Sequence, residues 1–160
     1  TRIFKTNYME INKKFLNQLY ENLIKFYPVL LNQESSVGMC ERISLIVFNI
    51  LNKLYKNKTF VLLGMDIYDN YSSYVNHAAV KYETNILDFT INQFGYKNKY
   101  FYGTKEEFKI IVKELVFKDK NKGFVDIGPL DKSELKFIKL TLRDYININK
   151  IIENLMKAFK

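Results

Sequence analysis

Apolar residues in the first third of the chain recur at helical spacing and predict two helices. The first is predicted from about Tyr8 to Phe26, and Pro28 ends it. After a loop from Leu31 to Met39, a second helix is predicted from about Cys40 to Tyr55. Apolar positions cover most of its circumference, so we expect this second helix to be central and buried.

The hydrophobic pattern changes after Lys58 and predicts three strands. They span Thr59 to Ile67, Tyr74 to Tyr82, and Ile86 to Phe94. The residues between the last two strands, Glu83 to Asn85, are about as many as a tight hairpin needs. The middle of the chain is therefore predicted to form a small antiparallel sheet.

Helical spacing returns at Thr104, which is predicted to cap a helix. Glu107, three residues later, completes a capping-box pattern. This helix is followed by a loop or short strand at Gly123 to Pro129.

Asp131 and Glu134 repeat the capping pattern at the start of a last helical stretch. That stretch is predicted to run to Phe159, with a break near Asn147. The order of elements is helix, helix, antiparallel sheet and then helices, which predicts an α+β fold. The length of 160 residues is that of a single domain covering residues 1–160.

The composition is that of an ordinary globular protein, with 48% apolar and 26% charged residues. The single cysteine cannot form an internal disulfide, which favours a cytoplasmic location or delivery into a reducing compartment. No apolar run approaches the roughly 20 residues that span a bilayer, and no signal peptide is evident. Residue 1 is Thr and not Met, so removal of an N-terminal segment stays open.

A net charge of +8 raises the question of a nucleic-acid or acidic partner. Lys outnumbers Arg 22 to 3, and Arg is the residue best suited to bidentate contacts with bases and phosphates. The lysines are also spread along the chain, so a solvated basic surface is favoured. The run from Tyr96 to Tyr102 alternates aromatic and basic residues and keeps nucleic-acid binding as an alternative.

Cys40 lies where the second helix is predicted to begin. A thiol is a better nucleophile when a helix N-terminus or a nearby imidazolium lowers its pKa from the ordinary value of about 8.5. The unpaired N–H groups of the first turn, including that of Cys40, are suited to stabilise an oxyanion. Gly38, two residues earlier, lets the backbone approach closely and leaves the thiol unobstructed. A lone cysteine is also a common core residue, so this assignment depends on its partners.

Those partners are His77, the only histidine, and Asp88 on the next predicted strand. If Glu83-Thr84 is a two-residue turn, His77 faces Thr90, and Asp88 lies diagonal to His77 on the same face of the sheet. A one-residue shift in pairing would move Asp88 to the other face. A carboxylate in the diagonal position would fix the imidazole tautomer and stabilise the imidazolium.

The runs Asn76–Tyr82 and Ile86–Phe94 resemble the His and Asp strands of papain-like and transglutaminase-like thiol enzymes. The spacings of 37 residues from Cys to His and 11 from His to Asp fit the compact members of that superfamily. These include transglutaminase-like peptidases, bacterial papain-fold toxins and lasso-peptide leader peptidases. The resemblance covers residues 33–94. It implies a compact core at about 30–95, with helices on a small antiparallel sheet, and a helical C-terminal part at about 104–160.

This resemblance implies that Cys40 is the nucleophile, His77 the general base and acid, and Asp88 the residue that orients the imidazole. The backbone N–H of Cys40 and the side chains of Gln33 and Gln93 are candidates for stabilising the oxyanion.

The surroundings of the site are expected to be simple. Neither a metal nor a cofactor is predicted, because Cys and His supply only two of the four ligands of a structural zinc. The chain has no Trp, which many relatives place beside the site, so we expect Phe89 or a nearby Tyr to screen the pair.

The sequence thus predicts a cysteine-dependent enzyme that acts on amide bonds of a protein or peptide through a thioester. Peptidase, isopeptidase, deamidase and transglutaminase-type activities share that intermediate, and the motif does not choose among them. One alternative is a non-enzymatic basic module that binds nucleic acid or an acidic protein. Another is a thiol-enzyme scaffold used for interaction alone. The sequence does not indicate an oligomeric state.

Overall fold

Five strands form one antiparallel sheet in the computed structural model, which describes residues 10–33, 38–69 and 74–159. The strands are β1 (Phe60–Asp69), β2 (Tyr74–Tyr82), β3 (Asn85–Asp88), β4 (Phe101–Thr104) and β5 (Gly123–Pro129). Their order across the sheet is β4-β3-β2-β1-β5. The predicted strands therefore form, and β4 joins the sheet as a strand that the sequence pattern did not indicate.

Five α-helices and three short 3-10 helices accompany the sheet in the described residues. The α-helices are α1 (Lys13–Phe26), α2 (Cys40–Leu54), α3 (Lys105–Val116), α4 (Lys132–Leu135) and α5 (Leu142–Ala158). The 3-10 helices span Pro28–Leu31, Ile91–Phe94 and Lys120–Lys122. None of the helices described is both long and apolar enough to cross a membrane. With the antiparallel sheet, these helices confirm the predicted α+β class.

Hydrophobic clusters cover both faces of the sheet. One cluster joins α1, α2 and α5 to alternate strand residues such as Leu62 and Val80. The other joins α3 to the residues between them, such as Leu63 and Ala79. Helix α2 contributes six apolar side chains that are at most 1% exposed. The prediction that the second helix is central and buried is confirmed.

The predicted turn at Glu83-Thr84 joins β2 to β3, and Tyr82 pairs with Asn85. The pairing of these two strands continues to Val80 and Leu87 and ends there. The predicted pairing of His77 with Thr90 is therefore wrong, because the two strands have separated before they reach those residues.

Strand β3 ends at Asp88, whereas the sequence pattern predicted a strand to Phe94. The backbone N–H and the hydroxyl of Thr90 both donate to Oδ1 of Asp88, at 2.9 and 3.1 Å. A side chain that hydrogen-bonds its own backbone two residues later favours a turn over an extended strand. The chain then forms the 3-10 helix Ile91–Phe94 and leaves it at Gly95, whose φ of 90° favours glycine.

The last helical stretch breaks earlier than predicted. The capping box of Asp131 and Glu134 forms, but α4 is only four residues long. A second capping box, in which Thr141 pairs with Asp144, starts α5. Asn147, near which the break was predicted, lies inside α5 and is buried. The predicted break is wrong because the capping box of Thr141 and Asp144 starts a new helix before Asn147.

The first helix also begins later than predicted, at Lys13 and not at Tyr8. Asn12 caps it, and its side chain accepts a hydrogen bond from the backbone N–H of Phe15 at 3.0 Å. Tyr8 and residues 34–37 of the predicted loop lie outside the described residues.

Asp144 ties the start of α2 to the start of α5. Its side chain is fully buried and accepts hydrogen bonds from Arg42 at 2.6 and 3.1 Å and from the hydroxyl of Tyr27 at 2.7 Å. Burial alone would raise the pKa of Asp144, but hydrogen bonds from Arg42, the Thr141 backbone and Tyr27 lower it to about 2. Arg42 lies two residues after Cys40, so this contact holds the helix that begins with the candidate nucleophile.

We expect Asp144→Asn to destabilise the protein by about 2–3 kcal/mol at pH 7, because Arg42 loses its buried anionic partner. Urea unfolding measures the loss. The folded pKa lies below the ordinary value of 3.8, so the contribution of the carboxylate is complete above that value and disappears as the pH falls towards 2. Glu153→Gln, at an exposed position of α5, is the control. Equal stability losses in the two variants would contradict the role assigned to Asp144.

Candidate active site

Cys40 is the first residue of α2, as the sequence predicted. Gly38, two residues earlier, has a φ of 85°, a backbone conformation that favours glycine, whereas a Cβ at this position would meet no atom within 4 Å. Gly38 thus allows the turn into the helix by its conformation and not by relieving a clash. Cys40 is 6% exposed, yet it belongs to neither hydrophobic cluster of the described residues.

His77 and Asp88 meet on one face of the sheet. Nε2 of His77 lies 2.5 Å from Oδ2 of Asp88, and both side chains are fully buried. The register explains the contact. Lys81 pairs with Ile86, and side chains two residues apart on a strand lie on the same face of the sheet. Ala79 and His77 therefore share a face with Asp88. The predicted diagonal placement of Asp88 and His77 on a shared face is what the structure shows.

Asp88 is held in place from its other side. Oδ1 accepts the two hydrogen bonds from Thr90 described above, which leaves Oδ2 directed at the imidazole. Thr90 is itself 1% exposed. Three hydrogen bonds therefore fix the carboxylate, and the N–H of Nε2 donates the one that orients the ring of His77.

Two phenylalanines enclose the imidazole. The ring of Phe94 meets it edge-on, with centroids 4.8 Å apart, and the ring of Phe108 stacks at 6.4 Å. Phe94 lies in the 3-10 helix that comes after β3, whereas Phe108 lies on α3. Phe89, which was expected to screen the pair, packs instead against Tyr20 and Tyr100. Phe94 and Phe108 take the screening position.

The pKa of His77 is raised to about 10. Burial is the largest influence and favours the neutral ring, but the charge of Asp88 and its hydrogen bond act in the opposite direction, and the nearby Cys40 side chain adds to them. Since Asp88 occupies Nε2, the nitrogen that remains for the thiol is Nδ1. Nδ1 is buried and has no partner at full hydrogen-bonding geometry among the described residues. The imidazole thus has one nitrogen bound to Asp88 and one available for Cys40.

Gln33 and Gln93, the predicted oxyanion donors, lie next to each other. Nε2 of Gln33 donates to the backbone carbonyl of Gln93 at 3.4 Å, and the Gln33 side chain is exposed. Oε1 of Gln93 is buried and has no hydrogen-bond partner among the described residues. Neither contact brings an amide N–H to Cys40, so their role as oxyanion donors stays a prediction.

A cavity of about 520 Å³ is lined in part by the backbone of His77, whose side chain is fully buried against Phe108 of α3. It is bounded by residues of β1, β2, β5 and α4, and by Glu41, which directly follows Cys40. Among the described residues, no three or more His, Cys, Asp and Glu side chains are grouped so that they could hold a metal ion.

The aromatic and basic run from Tyr96 to Tyr102 borders a separate cavity of about 650 Å³. Much of the run is already engaged within the protein. The ring of Tyr100 packs on Tyr20 and Phe89, and Lys99 forms an ion pair with Glu21 at 3.4 Å. Contacts of this kind are typical of a segment that covers the core.

The sequence reasoning missed Thr90, Phe94 and Phe108. The Asp-x-Thr spacing of residues 88–90 is a signal that could have identified Thr90, because an Asp side chain commonly accepts from the N–H two residues later. Phe108 lies on α3, far away in the sequence, and its contact with His77 depends on how that helix packs on the sheet.

We expect the imidazole of His77 to titrate near pH 10, and its pKa to fall markedly in Asp88→Asn, since burial then acts without the charge of Asp88. Because this is the only histidine, its NMR signals need no assignment by mutagenesis. The folded pKa exceeds the ordinary 6.5, so protonation of the ring stabilises the fold fully below pH 6.5, and this contribution is lost as the pH rises to about 10. Glu106→Gln, an exposed change on α3, is the control. A wild-type midpoint near 6.5 would contradict the buried pair.

The chain matches no protein-family model, and no curated protein or solved structure matches it at a significant level. The function of the protein is therefore inferred from the arrangement of Cys40, His77 and Asp88.

Proposed function

We propose that this protein is a cysteine-dependent enzyme that acts on amide bonds of a protein or peptide through a thioester on Cys40. One observation carries the proposal: a buried imidazole is bound at one nitrogen by the carboxylate of Asp88 and has the thiol of Cys40 nearby. Chain order, helix start and strand placement agree with the papain-like and transglutaminase-like resemblance. The α+β fold supports that kinship at the level of class alone.

In the proposed reaction, the proton of the Cys40 thiol already lies on Nδ1 of His77, so a thiolate faces an imidazolium, and the sulfur attacks the carbonyl carbon of the amide. The tetrahedral intermediate collapses as the C–N bond breaks, and the imidazolium gives its proton to the departing nitrogen. Cys40 then carries the acyl group as a thioester. Water or an amine attacks the thioester, His77 accepts the proton of that nucleophile, and the C–S bond breaks to restore the thiolate beside the imidazolium.

The raised pKa of His77 supports this role. A ring that is protonated at neutral pH places a positive charge beside the sulfur, which stabilises the thiolate. Asp88 sustains that charge in a buried setting where burial alone would remove it.

The first turn of α2 is the best candidate for stabilising the oxyanion. Its N-cap residue is Met39. Among the described residues no side chain caps the helix, so no capping side chain accepts a hydrogen bond from its first N–H groups. The N–H of Cys40 lies beside the reacting sulfur, and the positive end of the helix dipole acts in the same direction. Gln93 is a second candidate, and Gln33 a third.

The basic binding module is the less favoured alternative. Its main support was the run from Tyr96 to Tyr102, and the side chains of Tyr100 and Lys99 in that run are engaged within the protein. The thiol arrangement, in contrast, brings together the only cysteine and the only histidine of the chain.

At pH 6, we expect iodoacetamide to alkylate Cys40 of the wild-type protein at least tenfold faster than Cys40 of the His77→Gln variant. The variant lacks the imidazolium that stabilises the thiolate. Mass spectrometry follows the reaction at a single site, since the chain has one cysteine. Lys81→Gln, an exposed change on the same strand, is the control and should keep the wild-type rate. If the His77→Gln variant is alkylated at the same rate as the wild-type protein, the proposal is contradicted.

Thr90 should act as a positioning residue. Thr90→Val removes the hydroxyl donor to Asp88 but keeps shape and the backbone hydrogen bond, so we expect a loss of roughly three- to tenfold in the alkylation rate at pH 6. The Nε2 proton of His77 should also exchange faster with water, as seen by NMR. Thr90→Ser should restore both. If Thr90→Ser behaves like Thr90→Val, the hydroxyl has no such role.

A further inference from the structure

Large hydrophobic side chains are exposed in one short stretch of the chain. Of the nine that are exposed among the described residues, four lie between residues 137 and 146. Phe137 and Leu142 are the most exposed of the nine, at 84% and 78%, and Tyr145 and Ile146 accompany them. Exposed apolar groups that cluster in this way mark a surface that contacts a partner or a membrane.

Helix α5 carries three of these side chains on the side that faces away from the core. Its inner side, with Ile148 and Ile151, is buried in the cluster that it shares with α1 and α2. Leu142, Tyr145 and Ile146 are three and four residues apart, a spacing that puts them on one side of a helix. The outer side of a surface helix is normally polar, so the start of α5 departs from the usual pattern.

Phe137 is held in its exposed position by an ordered turn. Its backbone N–H donates to the carbonyl of Glu134 at 3.1 Å, and the N–H of Ile138 donates to that of Leu135 at 3.2 Å. Leu135 and Leu140, on either side of Phe137 in the sequence, pack on the cluster that buries α5. The backbone is therefore fixed on both sides of Phe137, while its side chain stays in solvent.

Basic side chains are interleaved with these apolar ones. Residues 135–152 contain a single carboxylate, that of Asp144, which is fully buried and bound by Arg42. The same stretch holds four exposed basic residues, none of which forms an ion pair among the described residues: Lys136, Lys139, Arg143 and Lys150. We call these four residues, together with Phe137, Leu142, Tyr145 and Ile146, the apolar-basic surface.

The positive charges lie next to the apolar side chains. Arg143 and Lys150 adjoin Ile146 on the surface of α5, because they are three residues before it and four after it. Lys136 and Lys139 flank Phe137 along the chain. The apolar-basic surface therefore combines exposed hydrophobic groups with a charge opposite in sign to that of anionic phospholipids.

This combination fits a lipid surface better than a protein. Interfaces between proteins are depleted in Lys, whereas three of the four basic residues here are Lys. A second copy bound symmetrically through this surface would bring its own four positive charges against these four. At a bilayer, apolar side chains enter the boundary of the acyl chains, and Lys and Arg reach the phosphates.

We propose that the apolar-basic surface binds the surface of an anionic phospholipid bilayer. Phe137 and Leu142 insert at the boundary of the acyl chains, and the four basic side chains contact the lipid phosphates. This inference goes beyond the proposed function and does not rest on it, because Cys40 and His77 take no part in the contact.

Flotation with lipid vesicles tests the proposal on the full chain. We expect the protein to bind vesicles of phosphatidylcholine with about 30% phosphatidylserine roughly tenfold or more tightly than vesicles of phosphatidylcholine alone. High salt should reduce the difference, since it screens the charges. Equal binding to the two kinds of vesicle at low salt, or binding to neither, would overturn the inference.

The double variant Phe137→Ser/Leu142→Ser should bind the phosphatidylserine vesicles about tenfold or more weakly, because two inserting side chains are lost. Both side chains are exposed in the free protein, so the fold does not depend on burying them. Ile110→Ser/Leu115→Ser removes two exposed apolar side chains from α3, on the opposite side of the sheet, and should bind like the wild type. Wild-type binding by the Phe137→Ser/Leu142→Ser variant would overturn the assignment to this surface.

The basic side chains have a matched test of their own. Lys136→Gln/Lys139→Gln should lose affinity for the phosphatidylserine vesicles and keep its weak binding to phosphatidylcholine. Lys105→Gln/Lys118→Gln removes two exposed charges at the two ends of α3 and should keep the wild-type preference. Equal losses in the two lysine variants would mean that the net charge acts and not this surface, which overturns the inference.

Two further measurements identify the rival occupants. Analytical ultracentrifugation without lipid should show no self-association that the Phe137→Ser/Leu142→Ser variant abolishes. Such self-association would make a second copy the occupant and overturn the proposal. Binding of polyglutamate in place of vesicles, again lost in that variant, would make an acidic protein the occupant and would overturn it as well.

Discussion

The site depends above all on one buried interaction, the hydrogen bond from His77 to Asp88. Without the carboxylate, burial would favour a neutral imidazole, and the ring could not hold a positive charge beside a thiol. Thr90 holds the carboxylate, and Phe94 and Phe108 enclose the ring. The protein thus keeps a charged pair in a dry setting, where its electrostatic effect on the sulfur is strongest.

The fold meets this constraint by bringing three elements to one point. Helix α2 begins at the thiol, β2 carries the imidazole, and β3 ends at the carboxylate. The separation of β2 from β3 leaves the His77 position without a paired strand on that side. The buried contact of Arg42 with Asp144 ties the start of α2 to α5.

Local patterns were enough to predict much of this arrangement. The capping boxes at Thr104 and Asp131, the helix start at Cys40 and the turn at Glu83-Thr84 each depend on residues close in sequence. Once the turn is placed, the alternation of side chains along each strand puts His77 and Asp88 on the same face of the sheet.

What the sequence did not reveal depends on tertiary packing or on competing hydrogen bonds. The end of β3 was misplaced because the side chain of Asp88 forms a turn with Thr90. The stacking of Phe108 on His77 requires α3 to lie on the sheet. The most direct test of the account is cross-linking by 1,3-dibromoacetone, a short reagent that alkylates twice, with peptide mapping of the product. The account predicts a single Cys40–His77 bridge in folded protein that is lost in urea. Folded protein that carries the reagent on Cys40 alone, with His77 unmodified, would contradict it.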